Sequence, residues 1–565
     1  MDGGNHTRQR VVWCGGRRTA TPSRVWLTHT AHGQRATNAS CTIPPQSGDY
    51  AMHASDTTHA SVRDGRKDLL LTIGFCVLAA AALIAAGLIL ASKRWMWMDE
   101  LLTWQLVTAP SWGAMLHAAG DQVDTMPPLY FILARAWITL TGTSEFSLRL
   151  LSILLVTATY LITFLLLKRT ANLLYALTVT TAVFFLSDLL FTQLTELRYY
   201  PLLLLLSAVA TALYFRLSNG RTSPRWLFVL NAIVHGALVT THLFGFLTST
   251  ALMISFLVTA GPQRRAAARQ GILSSLAGWL FFLPWIPAQL RQMEVAQPYS
   301  WIPLPDMIDL IAMPFTMLPD GRPRYVLIAV FILLVLLPRR LRAHIEEETL
   351  TRMAVSGGLL LLLPILTAYI LSTEVVSIFI PRYFIAGIVG WILLLPPLAV
   401  WIRRAIPIAL SPRPFLWLTA LSIATAILLS FPAAKSLQTS AAKKPGSLSN
   451  ALYPNLPVVT ESPHAYLPRF HYAEDRSRIF YVLDRASAFN LRGVLNGPTD
   501  YHHMLALERN FPGHNILPGD SILARFDRFL LIDEAGRLWS ERVLEDDRRY
   551  DIREITESLK LLTAK

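Results

Sequence analysis

Apolar residues are gathered into long runs from Leu69 onward, and short polar segments separate one run from the next. A helix needs about 20 apolar residues to cross the roughly 30 Å of hydrocarbon in a membrane. The pattern therefore predicts a polytopic α-helical membrane protein. The runs that reach or approach the required length predict eleven transmembrane helices, at 69–91, 149–167, 172–193, 199–215, 226–241, 243–260, 271–290, 324–338, 353–372, 383–402 and 415–432.

One further apolar stretch, "PPLYFILARAWITL" at 127–140, is short and carries Arg135 in its middle. If it does not span, the loops divide into an arginine-rich set and an arginine-poor set. The first set holds 15 Lys and Arg in 47 residues, at 168–171, 216–225, 263–270, 339–352 and 403–413. The second holds five in 49 residues, at 194–198, 291–324 and 373–382. Because Lys and Arg concentrate in cytoplasmic loops, the second set is expected outside, with 127–140 as an interfacial helix of an outer loop at 92–148.

The two ends of the chain differ from the apolar middle, 69–432. Residues 1–68 are rich in Thr, Ser, Gly and Arg without apolar periodicity, which is typical of a disordered cytoplasmic leader, and the true start could be Met1 or Met52. Residues 433–565 contain short β-rich runs such as "RIFYVLD" and "RFLLIDE", which predict a small extracytoplasmic α/β domain. That domain is expected to cover the site or help to select the acceptor. Its adjacent His502 and His503 are expected to be a solvated pair, because neighbours on a helix point in different directions.

Composition supports a membrane protein. The chain is 53% hydrophobic and 16% charged, a balance that soluble domains rarely show. Its net charge of +14 does not require a nucleic-acid partner, because the arginines lie in short clusters between apolar runs. The three cysteines, Cys14, Cys41 and Cys76, offer neither a disulfide framework nor a metal site. We expect a multi-pass protein of the inner (plasma) membrane with a cytoplasmic N-terminus.

Charged residues meet at the outer ends of the apolar runs. Asp99 and Glu100 follow the first run in "WMWMDELL", and taken alone they would simply favour a helix N-terminus. Each nearby arginine could likewise be an anchor that extends to the lipid headgroups. Together, however, the arginines would give one outer site several guanidinium groups, which bind phosphate well. The residues concerned are Asp99, Glu100, Arg149, Glu196, Arg198 and Arg382.

Five motifs in order, "WMDELLTW", "MPPLYFILARAW", "SEFSLRLLSILL", "ELRYYPLLLLLSA" and "IPRYFIAG", carry a resemblance to a known class. Over residues 69–432 the chain resembles the GT-C integral membrane glycosyltransferases, in the bacterial branch related to protein O-mannosyltransferases and aminoarabinose transferases. The resemblance implies inverting transfer of a sugar from a polyprenyl-phosphate donor to a lipid, glycan or protein acceptor on the outer face. One departure is Met126, where relatives often have His before the Pro pair.

Roles follow from the chemistry of such a transfer. Asp99 is expected to be the general base, and its neighbour Glu100 to orient the acceptor or an arginine. Arg198 and Arg382 are expected to stabilise the leaving phosphate. Arg149 and Glu196 are expected to support them, and Tyr199 and Tyr383, next to the two arginines in sequence, complete the expected substrate-binding set. No cofactor is indicated, although a divalent metal is possible.

The alternative function is a transporter or a lipid flippase. Such a protein should carry its polar residues near the bilayer midplane and often shows paired repeats. Here most charges cluster at one membrane face, and the sequence shows no clear repeat. The pattern favours a transferase.

Overall fold

The computed structural model describes residues 51–92, 94–218, 224–296, 300–318, 322–336, 345–405 and 455–565 except 491, 495 and 547, together with 417 and 453. The described residues from 68 onward form one compact unit. The first helix begins at Ala51, within the range for which composition favoured disorder, and residues 1–50 lie outside the described residues. The fold and the site described below belong to the unit 68–565.

Helices build the apolar middle of the chain. In order they are α1 (Ala51–Ala91), α2 (Met98–Val107), α3 (Trp112–Gly120), α4 (Leu129–Thr141), α5 (Glu145–Thr170), α6 (Leu173–Leu186), α7 (Asp188–Leu194), α8 (Tyr200–Ser218), α9 (Arg225–Thr241), α10 (Phe244–Thr259), α11 (Arg265–Trp279), α12 (Ile286–Ala296), α13 (Met307–Ala312), α14 (Arg322–Val335), α15 (Glu347–Glu374) and α16 (Gly387–Ala405). Short 3₁₀ segments lie at Pro262–Arg264, Leu280–Trp285, Met313–Met317 and Pro381–Phe384.

Six helical segments among the described residues are long and apolar enough to cross a membrane, at Asp68–Ala91, Glu145–Thr170, Tyr200–Ser218, Pro262–Glu294, Glu347–Glu374 and Gly387–Ala405. Helices α6 and α7 form a seventh if the pair, bent by 71°, is one span. The predicted spans at 226–241, 243–260 and 324–338 are apolar helices shorter than 18 residues. Apart from Trp417, the predicted span at 415–432 lies outside the described residues. The polytopic helical fold class is confirmed.

The predicted span at 172–193 is broken at Ser187. Its hydroxyl accepts a hydrogen bond from the backbone N–H of Leu190, which starts α7. The same hydroxyl donates to the carbonyl of Met317. A serine that caps a new helix favours a turn over continuation of the old one.

The stretch predicted to be interfacial is helix α4, whose 13 residues are too few to cross the hydrocarbon. Arg135, in its middle, donates hydrogen bonds to the carbonyls of Val107 and Ala109 at 3.0 and 2.6 Å. Its guanidinium also lies 5.2 Å from the ring of Trp112. The charge of Arg135, which argued against a transmembrane helix here, thus connects α4 to the end of α2 and the start of α3.

The C-terminal part is a small α/β domain, as predicted. Its strands are β1 (Val458–Thr460), β2 (Ile479–Leu483), β3 (Ile516–Pro518), β4 (Arg528–Ile532), β5 (Tyr550–Thr556) and β6 (Leu559–Ala564), in the sheet order β3-β2-β1-β4-β6-β5. The first four are parallel, and β6 pairs antiparallel with β4 and β5. Its helices are α17 (Pro463–Tyr472), α18 (Arg485–Ala488), α19 (Gly497–Asn510), α20 (Gly519–Arg525) and α21 (Leu538–Glu545).

Both faces of this sheet are buried at the central strands β1, β2 and β4, whereas most of β5 is exposed. Alternate residues such as Val459 and Phe480 pack with Trp539 of α21 in a core of their own. Their neighbours Val458 and Ile479 belong to the core that continues into the membrane helices. Because side chains alternate along a strand, one face of the sheet serves the domain and the other joins it to the rest of the molecule.

Candidate active site

The start of helix α2 separates the two adjacent carboxylates. Trp97 is the extended residue before the helix, and its backbone N–H donates to Glu100 Oε2 at 3.3 Å. The backbone N–H of Leu197 donates to Glu100 Oε1 at 2.9 Å. These bonds turn Glu100 inward, where it is fully buried. Asp99, about 100° away around the helix, keeps 19% of its side chain exposed and borders a cavity.

Glu100 belongs to a buried network behind that cavity. Arg149 Nη2 lies 3.7 Å from Glu100 Oε2, and Arg149 also donates to the carbonyls of Ala91 and Arg94. Glu196 accepts from Arg94 at 2.7 Å. Burial raises the pKa of Glu100, and the charges of Arg149 and Arg94 oppose that shift. The network joins the ends of the first spans to the start of α2.

Arg198 is held by several acceptors at once. Its Nη1 donates to Asp124 Oδ2 at 2.7 Å and to the carbonyl of Asp99 at 2.9 Å, and its Nη2 donates to the hydroxyl of Tyr199 at 2.7 Å. Nη2 also lies 3.5 Å from Asp99 Oδ2. Asp124 was not predicted. The available signal was a carboxylate two residues before Met126, in the outer loop that leads into the Pro pair.

Arg382 is held mainly by aromatic rings. Its guanidinium carbon lies 5.6 Å from the rings of both Trp97 and Trp301, and 5.9 and 6.0 Å from those of Tyr383 and Tyr200. Its nearest carboxylate is Asp99 Oδ2, 3.8 Å from Nη1. Burial lowers the pKa of Arg382, but Tyr200 and Asp99 more than offset this, so the pKa is raised and the side chain stays charged.

These residues surround a cavity of about 290 Å³ between the helical part of the molecule and the C-terminal domain. One wall, here called the floor, comes from the helical part and its loops. It consists of Trp97, Met98, Asp99, Leu102, Asp124, Thr125, Met126, Arg198, Tyr199, Trp301, Arg382 and Tyr383. The opposite wall, here called the roof, comes from the C-terminal domain and consists of His464, Asn496, Thr499, Asp500 and His503.

The roof includes one residue of the predicted histidine pair. His502 and His503 are both half-buried, but His503 Nδ1 bonds to the carbonyl of Gln122 at 2.8 Å and its ring lines the cavity. His464 lies in the first turn of α17, which follows β1, and the other roof residues lie at the N-terminal end of α19, which follows β2 and α18. Sites in such sheets are usually found at the carboxyl edge of the parallel strands. Strand order, which brings these two helix starts together, is not readable from local sequence.

The structure therefore brings together five of the eight predicted site residues around the cavity: Asp99, Arg198, Tyr199, Arg382 and Tyr383. Glu100, Arg149 and Glu196 do not line it, because the buried network holds them behind it. Within the part of the chain that the structure describes, no three His, Cys, Asp or Glu side chains are grouped so that they could hold a metal ion.

No protein-family model matches the sequence, and no curated protein matches it either. The fold is nevertheless similar to that of solved structures. ArnT from Cupriavidus metallidurans, in the apo state, aligns with a TM-score of 0.55 at 12% identity, over 87% of this chain and 98% of ArnT. ArnT bound to undecaprenyl phosphate aligns with a TM-score of 0.53 at 12% identity, over 86% and 98%. The chain thus has the GT-C fold, with a cavity between its membrane helices and its C-terminal domain.

Proposed function

We propose that this protein is an inverting membrane glycosyltransferase, which moves a sugar from a polyprenyl-phosphate donor to an acceptor hydroxyl on the extracytoplasmic face. One observation carries the proposal: the Asp99 carboxylate lies within 4 Å of the guanidinium groups of both Arg198 and Arg382, at a cavity that adjoins apolar helices. The fold shared with ArnT, one structure of which holds undecaprenyl phosphate, supports the lipid-linked donor. The distribution of Lys and Arg among the loops supports the outer location.

Arg382 is the best candidate for the phosphate ligand. Aromatic rings surround its guanidinium, and its side chain, which lines the cavity, keeps 20% of its surface exposed, whereas that of Arg198 keeps 6%. An exposed guanidinium that is not fully paired with carboxylates keeps N–H donors for an anionic ligand, and arginine binds phosphate through such donors.

The reaction needs one proton acceptor and one stabilised leaving group. The acceptor oxygen forms a bond to the anomeric carbon while its proton passes to the carboxylate of Asp99. The bond between the anomeric carbon and the phosphate oxygen breaks, and its electron pair stays on the phosphate. Arg382, with Arg198, stabilises that charge. A single displacement of this kind inverts the anomeric configuration.

Glu100, Arg149 and Glu196 are positioning residues in this proposal. Glu100 fixes the first turn of α2 and the backbone at Leu197, next to Arg198. Arg149 and Glu196 hold the residues between the first span and α2 through the Arg94 side chain and carbonyl. They place Asp99 and Arg198 without contacting the substrate.

The proposal is tested by Asp99→Asn, which keeps the shape of the side chain but removes the proton acceptor. We expect transfer to fall at least about a hundredfold, with normal insertion and yield. Mass spectrometry of outer-face lipids, glycans and proteins from cells with and without the protein identifies the product, which is then quantified for each variant. Glu294→Gln, an exposed carboxylate on α12, is the matched control. Wild-type product levels in Asp99→Asn would refute the role of Asp99.

A further inference from the structure

The two walls of the cavity differ in charge. The floor carries the guanidinium groups of Arg198 and Arg382, whereas no Lys or Arg is among the described roof residues. The one roof carboxylate, Asp500, is already paired, since both Nη atoms of Arg537 lie 3.0 Å from its Oδ2. A ligand that spans the cavity therefore meets cations on one side and neutral polar groups on the other.

The neutral groups of the roof suit hydroxyl groups. Donation from His503 Nδ1 to the Gln122 carbonyl leaves Nε2 of the neutral ring as a hydrogen-bond acceptor. Asn496 donates its amide to Asp500 at 3.1 Å, which leaves its own carbonyl oxygen as an acceptor. Thr499 adds a hydroxyl that can both donate and accept. Hydroxyls can donate to these acceptors, whereas a phosphate dianion has no proton to donate.

Flat rings border the same space. The rings of Trp97 and His464 are within 6° of parallel, with centroids 6.5 Å apart, and both residues line the cavity. Ring faces of this kind pack against the C–H faces of a saccharide while polar groups at the edge bind its hydroxyls. We infer that the roof, with Trp97, forms a saccharide subsite for a neutral, hydroxyl-rich ring. This inference rests on the proposed function and adds a substrate class to it.

The contacts between the C-terminal domain and the outer loop favour a ligand whose chain ends in the cavity over a ligand whose chain passes through it. On one side, Tyr472 of α17 accepts a hydrogen bond from the Met96 backbone at 2.8 Å. On the other, Asn510 of α19 donates to Asp121 at 2.8 Å. Trp97, next to Met96, and His503, which bonds to Gln122 next to Asp121, both line the cavity, so each attachment adjoins its wall. A terminal sugar ring suits such a site better than the middle of a polypeptide.

The test measures binding of neutral methyl glycosides of hexoses and pentoses to the full-length protein in nanodiscs, by saturation-transfer difference NMR. Thr499→Val and His503→Gln should each weaken binding of the best glycoside by roughly 3- to 10-fold, as expected for one lost hydrogen bond. His502→Gln is the matched control, since His502 is adjacent but does not line the cavity. A Ser- and Thr-containing peptide is the comparison probe.

The ring could belong to the donor or to the acceptor, and a second measurement separates these sources. Affinities are compared for undecaprenyl phosphate and for undecaprenyl-phosphate-linked hexoses and pentoses. The sugar-linked carrier is expected to bind more tightly than the carrier alone, and this gain in affinity is measured for each variant. If Thr499→Val removes the gain, the subsite holds the donor sugar. If the gain is unchanged while glycoside binding falls, the subsite holds the acceptor.

The inference is overturned if both roof variants bind glycosides like the wild type, if His502→Gln loses binding equally, or if the peptide alone binds. Binding of undecaprenyl phosphate alone tests the proposed function and not the saccharide subsite. Tight carrier binding without a glycoside effect would reject the saccharide subsite and leave the transferase proposal standing.

Discussion

At the scale of single residues, Arg198 and Arg382 show how the same side chain can serve two purposes. Arg198 donates to Asp124, to the Asp99 carbonyl and to Tyr199, so most of its donors are occupied. Arg382 is enclosed by rings and has one carboxylate 3.8 Å away. Sequence reasoning treated the two as equivalent phosphate ligands. In the proposed reaction, their surroundings favour Arg382 as the phosphate ligand and Arg198 as a residue that chiefly orients Asp99 and Asp124.

Lysine substitutions separate these roles, because lysine keeps the charge but lacks the planar fork. Arg382→Lys should weaken binding of undecaprenyl phosphate by about tenfold, the equivalent of about 1.4 kcal/mol. Arg198→Lys should lower the transfer rate more than carrier affinity. Arg291→Lys, an exposed arginine on α12, should change neither. Carrier titration in nanodiscs measures the first effect, and product formation the second. Wild-type titration of Arg382→Lys would exclude it as the phosphate ligand.

Glu100→Gln should reduce stability rather than chemistry. Two backbone N–H groups and Arg149 converge on the two oxygens of Glu100, so an amide would place an NH₂ group against a donor. The substitution would also remove the negative charge of Glu100, which partly balances the buried positive charge of Arg149. Breaking a buried pair typically costs about 3–5 kcal/mol. Thermal melting in detergent should show the loss, with Glu294→Gln as control. Normal melting with strongly reduced transfer would place Glu100 in the reaction itself.

The sequence predicted five residues that border the cavity, but it did not separate them from Glu100, Arg149 and Glu196, which lie behind it. Asp99 and Glu100 are neighbours in one helical turn, and only the tertiary contact with Leu197 decides which of them turns inward. Asp124 and the roof residues carried no local signal that tied them to Asp99. They reach the cavity because of helix packing and strand order, which are properties of distant parts of the chain.

At the scale of elements, close packing of α15 on α16 supports the position of Arg382, which lies just before α16. A Cβ atom at Gly390 would lie 2.7 Å from the carbonyl oxygen of Gly357, and one at Gly357 would lie 2.8 Å from that of Gly390. Small residues allow membrane helices to approach this closely. The hydropathy pattern predicted both helices, but nothing in it distinguished these glycines from Gly358, which has open space around its Cα.

Alanine substitutions test this contact. Gly390→Ala should destabilise the protein by about 1–3 kcal/mol, because backbone atoms must move apart. Gly358→Ala, one residue from Gly357, should be neutral or slightly stabilising, because alanine favours a helix more than glycine does. Thermal melting of both variants in the same detergent gives the comparison, and carrier titration shows whether Arg382 is displaced. Equal melting temperatures would mean that the two helices tolerate a wider separation.

At the scale of the whole molecule, the C-terminal domain was predicted as a separate outer domain, and its α/β fold is confirmed. In the structure, however, this domain is not separated from the membrane helices, because it shares a core with them. Val458, Tyr466 and Phe470 belong to the same core as the membrane helices, and residues 68–565 form one compact unit. The continuous apolar runs of β2 and β4 suggest a sheet buried on both faces, but the sequence does not say what covers each face.

Deletion of residues 433–565 should therefore have two effects. Loss of the shared core should lower the melting temperature of the remaining helices, and loss of the roof should abolish transfer. Binding of undecaprenyl phosphate should stay within about tenfold of the wild type, because Arg382 and its rings belong to the helical part. Carrier titration and product analysis of the truncated protein in nanodiscs measure the two effects separately. If carrier binding is lost as completely as transfer while the helices remain folded, the domain contributes to the phosphate site itself.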